Sequence, residues 1–303
     1  VTATTPITVP ALRAAVAAQL AAAPQLEPEV RDNALREAGW LLEAVLGRPA
    51  GGWLAGATAL DPEVVGRVEA AAARRAAGEP LAYCVGTAAF RHLELQVDPR
   101  VLIPRPETEW VVEEALACVA RHPGGVAVDV GTGSGAIALS LATEGAFDRV
   151  LATDVSVDAL DVAVANAEAV ARRLPTGRRM APVEFRQGAD WAPLAGVRAR
   201  IIVANPPYIA YEEAAALPAG VRDWEPPVAL FAADGGMARY GVLCTGAAAH
   251  LEPGGWLVLE VDARRASDTA ALARGAGLSE VRVVRDLSGR DRVLVARHPG
   301  RPM

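Results

Sequence analysis

The stretch 126-VAVDVGTGSGAIALSLA-142 decides how the rest of the chain is read. Val126 to Val130 is a run of strand formers with little alternation, the pattern of a strand buried on both faces. Ala136 to Ala142 is helix-forming. Between them, Gly131, Thr132, Gly133, Ser134 and Gly135 set a glycine at every second position. Glycine there permits a tight strand-to-helix turn and lets a ligand approach the backbone. A strand, a glycine loop and a helix open a parallel sheet that holds its ligand at the carboxyl edge.

The same alternation continues downstream. VLATDV precedes a helix, VEFRQ and IIVANP follow, then a helix around Gly241 to His250, WLVLEV and another helix. VRVVRDLSGRDRVLVAR carries two strand-like runs around Ser288-Gly289, which predicts a closing antiparallel hairpin. The fold class expected is therefore α/β: a Rossmann-like, mostly parallel sheet covered on both faces, with an antiparallel C-terminal hairpin. This domain is assigned to residues 106–303.

Upstream the period changes to helical. ALRAAVAAQLAAA, VRDNALREAGWLLEAVLG and DPEVVGRVEAAAARRAAG repeat apolar residues at three-to-four spacing. Asp61-Pro62-Glu63 reads as an N-cap, a proline in the first turn and a favourable acid; Gly47 and Gly78 read as stops. Residues 1–80 form an expected N-terminal helical domain, read as a module for partner recognition because it holds no reactive constellation. Residues 81–105 are expected to be a hairpin or linker: LELQV alternates with period two, and VLI leads into Pro104 and Pro106. Pro106, with Glu107, Thr108 and Glu109 after it, opens the next helix.

Composition narrows the function classes. Of 303 residues, 52% are hydrophobic and 22% charged, with a formal net charge of -6, which argues against general nucleic-acid binding. Arg172, Arg173, Arg178 and Arg179 read as a solvated helix end rather than a basic track. Cys84, Cys118 and Cys244 are far apart among apolar neighbours, and the four histidines lack ligand spacing, so no metal site is expected. VTATTPITVP has no basic-plus-apolar leader and no run is long enough to span a bilayer, so the expected compartment is the cytoplasm.

Two further features specify the chemistry. Asp154 ends the second strand about twenty residues after the glycines, where an acid accepts hydrogen bonds from ribose hydroxyls. NAD and S-adenosylmethionine (SAM) both suit this pair. Asp129, a carboxylate beside the glycine loop, favours the sulfonium-bearing ligand. Asp190-Trp191, in the loop from Phe185, is the expected adenine floor.

Then IIVANPPYIA sets Asn205, Pro206, Pro207 and Tyr208 at the end of the fourth strand, across the switch point from the glycines. A planar amide or aromatic amine has a delocalised lone pair, so it must be aimed and held. The Asn205 side-chain oxygen and the Pro206 carbonyl are two acceptors for its N–H groups, and consecutive prolines fix that backbone. Acceptors strengthen as nitrogen becomes cationic, which favours the transition state. Tyr208 offers a face for stacking. The pattern predicts methyl transfer to an amino or amide nitrogen.

These motifs resemble the HemK/PrmC family of methyltransferases, which modify the glutamine of the Gly-Gly-Gln motif in class-I peptide release factors. The similarity runs from about Arg31 to Arg297 through EPLAYCVGTAAF, VLIPRPETE, the glycine loop, ATDVS, NPPYI, WEPPVAL, LEPGGWLVLEV and DLSGRDRVLVA. NPPY occurs in many amino-methyltransferases; RPETE combined with DLSGRDR is far more specific. The resemblance implies a SAM-dependent methyltransferase sheet, with cofactor contacts at Gly131, Thr132, Gly133, Ser134, Gly135, Asp154, Trp191 and Asn205. It implies glutamine binding by Asn205, Pro206, Pro207 and Tyr208, with Asn205, Pro206 and Tyr208 at the chemistry. Arg105 to Thr108, including Glu107, is implied to shape the pocket. The implied protein partner is a class-I release factor. Two departures stand out: FAADGGMARY replaces the family's Gly-Gly-x-Asp-Gly-Leu run after Leu230, and Cys84 replaces an aliphatic residue.

Four rivals remain open at this level. A nucleic-acid amino-methyltransferase uses the same NPPY logic but needs a basic track. A pathway-specific paralogue would methylate another protein's glutamine. A SAM-binding scaffold without catalysis, or an NAD oxidoreductase, fits the glycine loop but leaves Asn205 to Tyr208 without a task.

Overall fold

The computed structural model of the chain describes residues 7–47 and 59–300. Residues 1–6, read above for a leader, lie outside them. The chain divides into two compact units. One holds the described residues up to Thr87 together with Pro218–Trp224; the other holds Ala88–Leu217 and the described residues from Glu225 onward.

The first unit is helical: Val9–Ala21, Pro28–Asp32, Ala34–Leu46, Pro62–Ala76 and Leu81–Val85. Leu12, Val16 and Leu20, spaced by one turn each, pack with Ala38, Leu41, Leu42, Val68 and Ala72 in one apolar core. Asp61 caps its helix, accepting a bond from Glu63 N at 2.8 Å. Gly47 takes the left-handed C-cap, φ 64°. The stretch expected as one helix from Val30 to Gly47 is broken at Asn33. Its side-chain amide donates to the Glu29 carbonyl at 2.8 Å, and its ψ of 17° ends the first helix. Arg75 Nε donates to Glu37 at 2.7 Å inside this unit, a pair that is nearly dehydrated on both sides.

The expected joint is more varied than a hairpin. Leu81–Val85 is a helical turn; β1 (Thr87–Phe90) and β2 (Leu93–Gln96) make a two-stranded ribbon. Val101 to Ile103 is no strand. Val101 N donates to the Asp98 carbonyl and Ile103 N to the Glu225 carboxylate, so no ladder is left to form, and Pro104 has no N–H to extend one.

The second unit is built on seven strands: β3 (Val126–Val130), β4 (Arg149–Asp154), β5 (Val183–Gln187), β6 (Ala199–Ala204), β7 (Leu251–Glu260), β8 (Ser279–Arg285) and β9 (Asp291–Arg297). Their order is β5-β4-β3-β6-β7-β9-β8. β3 to β7 run parallel, and β9 inserts antiparallel between β7 and β8. Successive strand residues enter opposite cores, as the pleat requires. Ala127, Ile201, Val203 and Val258 join one core, with the helices Glu109–Val119 and Ala136–Glu144. Val128, Ile202, Leu257 and Leu259 join the other, with Ala238–His250 and Ala266–Gly275. From β3 the chain winds outward through β4 and β5, then returns to β6 beside β3. The switch point therefore lies between the carboxyl ends of β3 and β6.

Candidate active site

A cleft of about 890 Å³, measured to its open mouth, lies at that switch point. Its walls come from the glycine loop (Val130, Gly131, Gly133), the end of β4 (Thr153 to Ser156), the loop after β5 (Gly188 to Asp190) and Asn205 to Pro207.

The glycine loop is held by backbone groups. Gly131 N and Thr132 N both donate to the Thr153 carbonyl at 2.8 Å. Gly131, Gly133 and Gly135 have φ of 77°, 53° and 85°, the left-handed region where a side chain is disfavoured. Gly135 is also close-packed: a Cβ there would lie 3.2 Å from Leu139 Cδ1 and 3.4 Å from Ala163. At Gly131 and Gly133 the same atom would meet nothing within 4 Å, leaving the backbone open to a ligand. Asp154 accepts from Gly133 N and Ser156 N at 2.9 Å each, one per carboxylate oxygen. It faces the cleft with lone pairs to spare.

Thr132, Ser134 and Gly135 do not line the cleft and act from beneath it. Thr132 Oγ1 donates to Asp129 at 2.7 Å, and the Ser134 carbonyl accepts from buried Asn166 at 2.9 Å. Asp129 faces inward, contrary to the ligand-facing place expected for it. Fully buried, its Oδ2 takes Thr132 and Ala138 N while Oδ1 has no partner. Burial pushes its carboxyl up to about 7.

The two residues of the expected adenine floor lie in different places. Asp190 lines the cleft with φ 50° and pairs with Arg239 at 2.8 Å. Trp191 does not. Its Nε1 donates to the Val242 carbonyl at 3.0 Å and its ring stacks on His250 at 4.8 Å. Gly246 makes this possible, since a Cβ there would fall 2.1 Å from the indole nitrogen.

On the other wall, Asn205 Nδ2 donates to Thr108 Oγ1 at 3.2 Å, and Thr108 Oγ1 donates to Glu260 Oε2 at 2.5 Å. Glu260 ends β7 fully buried, and its burial pushes its carboxyl up to about 7. Pro206 and Pro207 line the cleft; Tyr208 does not, packing instead against the second core. Burial pushes its phenol up to about 12. Arg105 is turned from the cleft into an ion pair with buried Glu225, and Glu107 is exposed.

The divergent stretch after Leu230 proves to be a strut for this wall. Ile209 N donates to the Leu230 carbonyl at 3.0 Å and Ala232 N to the Ile209 carbonyl at 2.9 Å. Gly236 passes so near that a Cβ would sit 2.1 Å from the Tyr208 carbonyl oxygen. Arg265 ties the stretch down, donating to the Gly235 carbonyl at 2.8 Å and to Glu213 at 2.7 Å.

Comparison with known proteins gives the family and the fold. Residues 17–86 match the PrmC N-terminal domain, and residues 114–218 the methyltransferase small domain. A release factor glutamine methyltransferase of Cereibacter sphaeroides is 42% identical over 282 residues, covering 92% of this chain and 96% of that one. The chain belongs to the release factor glutamine methyltransferase family. A second member, from Moorella thermoacetica, is 44% identical over 238 residues, covering 78% and 81%. A solved methyltransferase from Pyrococcus furiosus shares the fold, at 18% identity and TM-score 0.52, covering 75% of this chain and 97% of that one.

Within this methyltransferase, sequence reasoning missed several residues at the cleft. Arg100, Leu102, Val228 and Arg239 line it, and Glu260 stands behind it. Glu260 left one signal: it is an acid at the end of the otherwise apolar run WLVLEV. Arg239 lies in the divergent stretch, where no motif pointed. Among the described residues no group of three His, Cys, Asp or Glu side chains is placed to hold a metal ion, and no helix is long and apolar enough to cross a membrane.

Proposed function

We propose that this protein methylates the side-chain amide nitrogen of a glutamine, in the Gly-Gly-Gln motif of a class-I peptide release factor, using SAM. The observation that carries the reading is Asn205. Its amide nitrogen is committed to Thr108, which leaves its oxygen as an acceptor on the wall of a cleft shared with Gly131, Gly133 and Asp154.

The cleft fits the cofactor by the chemistry of its lining. Val130, Val155, Leu102 and Leu243 supply apolar walls for a flat base, Asp154 supplies acceptors for ribose, and Gly131 and Gly133 leave the backbone bare. When bound, SAM supplies a methyl group on a sulfonium, an electrophile that needs no further activation. The chain's own residues aim the nucleophile. Asn205 Oδ1 and the Pro206 carbonyl accept the two amide N–H bonds, and the Pro206-Pro207 backbone keeps the second acceptor in place. Both acceptors gain strength as charge develops on nitrogen, and one of the held N–H protons then leaves through its acceptor to water, giving the neutral methylamide. Tyr208 anchors the loop to the core, so stacking against substrate is not part of this reading.

The helical unit serves protein recognition in this proposal, and the setting of a release factor substrate is the cytoplasm. A variant lacking the residues before Leu81 keeps SAM affinity and loses turnover on intact release factor; full turnover would remove that role. The test of the main reading is mass spectrometry of purified release factor after incubation with the protein and SAM. A gain of one methyl group on the Gly-Gly-Gln glutamine supports it, and methylation of RNA or DNA alone sinks it.

A further inference from the structure

Three of the motifs read from the sequence, RPETE, NPPY and DLSGRDR, come from distant parts of the chain and bear on one buried carboxylate. Thr108 comes from the first, Tyr208 with Asn205 from the second, and Arg292 from the third. The carboxylate is Glu260. Thr108 is hydrogen-bonded to it, and the titratable groups that act on it through space are Arg105 and Glu107 from the segment before the helix at Glu109, Tyr208 from the loop after β6, Tyr240 from the helix Ala238–His250, and Arg292 from β9. Arg292 is itself steadied by Asp286, whose Oδ2 accepts from its Nε at 3.3 Å. No step described above gives Glu260 a task.

We propose that Glu260, acting through Thr108, is the positioning residue that sets which end of the Asn205 carboxamide faces the substrate. This rests on the methyl-transfer reading above. The argument is a count of protons. A threonine hydroxyl has one proton to give, and an ionised carboxylate only accepts. Thr108 therefore spends its proton on Glu260, and its oxygen is left as an acceptor. Only the nitrogen end of Asn205 can satisfy it, which it does at 3.2 Å. The oxygen end is thereby turned away from Thr108. Reversing the amide would press two oxygens together with no proton between them.

A proton on Glu260 inverts the relay. Protonated, it donates to Thr108, and the Thr108 proton is released to point at Asn205. Either end of the amide then satisfies the hydroxyl, and the NH₂ group is no longer held away from the substrate. Burial and Glu107 promote this protonation, while the Thr108 hydrogen bond, Arg292 and Arg105 oppose it.

Two measurements test the relay. The first needs no release factor: the side-chain amide resonances of Asn205, identified by their loss in Asn205→Ala, are followed by NMR against pH in the wild-type protein and in Glu260→Gln. A pH-dependent shift in the wild type that vanishes in Glu260→Gln supports the relay. An Asn205 amide that ignores pH, or titrates unchanged in the variant, overturns it. The second is single-turnover methylation. Thr108→Val lowers the rate on the order of tenfold to a hundredfold, the scale of lost positioning behind a reacting group. SAM affinity is retained, and Thr108→Ser restores most of the rate. Wild-type rate in Thr108→Val overturns the proposal. If the wild-type protein methylates no glutamine at all, the functional reading has failed, and the NMR titration still decides the relay.

Discussion

Two loops leave neighbouring strands at the same edge of the sheet and hold their shape by different means. The loop after β3 is held by its own backbone: left-handed glycines, and two N–H groups on one carbonyl of β4. Side chains steady it from the cleft side at Asp154 and from beneath at Asp129 and Asn166. The loop after β6 is held by residues remote in sequence. Asn205 depends on Thr108 and Glu260, and Tyr208 lies against Gly236 of the divergent strut. A loop that must expose bare backbone can be written locally, in glycine. One that must present a single atom of a carboxamide needs its other atoms occupied, and those partners come from elsewhere in the fold.

The largest effect should come from Asn205→Ala, which removes the one side-chain acceptor on the second loop and leaves the first untouched. Turnover should fall on the order of 10²–10³-fold, as for loss of one preorganised polar group. SAM affinity should change far less. Near wild-type single-turnover rates would mean that the second loop is only a turn, and the contrast between the loops would collapse.

Asp154→Ala probes the first loop in the same way. It removes the acceptors facing the cleft and weakens SAM by roughly 1.5–3 kcal/mol, the range for hydrogen bonds to a charged group. It also releases the Gly133 and Ser156 N–H groups. Calorimetry giving unchanged affinity in a folded variant would show that the glycine backbone alone holds the cofactor.

Asp129→Asn sharpens the comparison through pH. The folded carboxyl is raised to about 7 by burial, against about 3.9 unfolded. Between those values the folded state holds the proton more tightly, so the stability this group contributes is complete below about pH 4 and is lost as pH rises through about 7. Asparagine does not titrate. Urea midpoints of the wild type should therefore fall relative to those of Asp129→Asn as pH rises across that window. Parallel curves would show that Asp129 stays charged beneath the glycines.

The smallest effect is expected from Trp191→Phe. It should leave SAM affinity unchanged and cost about 0.5–1.5 kcal/mol of stability for the lost bond to Val242. A large drop in SAM affinity would return the indole to the cleft.

Two of the misses trace to partners outside the local motif. Trp191 was expected at the adenine together with Asp190, as a pair in the loop after β5. A rotation of one residue sent the two side chains to opposite sides, and the space left by Gly246, 55 positions away, received the indole. Val101 to Ile103 has strand composition, yet Asp98 and Glu225 took two of its N–H groups. The break at Asn33 was local and readable, since a side-chain amide competing for a helix carbonyl is a known use of asparagine.

By itself the sequence determined the alternation of strands and helices, the helical unit before them, the glycine loop, and Asp154 and Asn205 at the carboxyl edge. Each is encoded within one turn or one strand, where residue type and backbone conformation are directly linked. The tertiary structure alone decided that Asp129 faces inward, that Arg239 joins the cleft, and that Thr108 and Glu260 orient Asn205. Glu260 lies 55 residues beyond Asn205 and 152 beyond Thr108 in the chain. Their meeting depends on β7 lying next to β6, and on the burial that makes a hydroxyl's single proton matter.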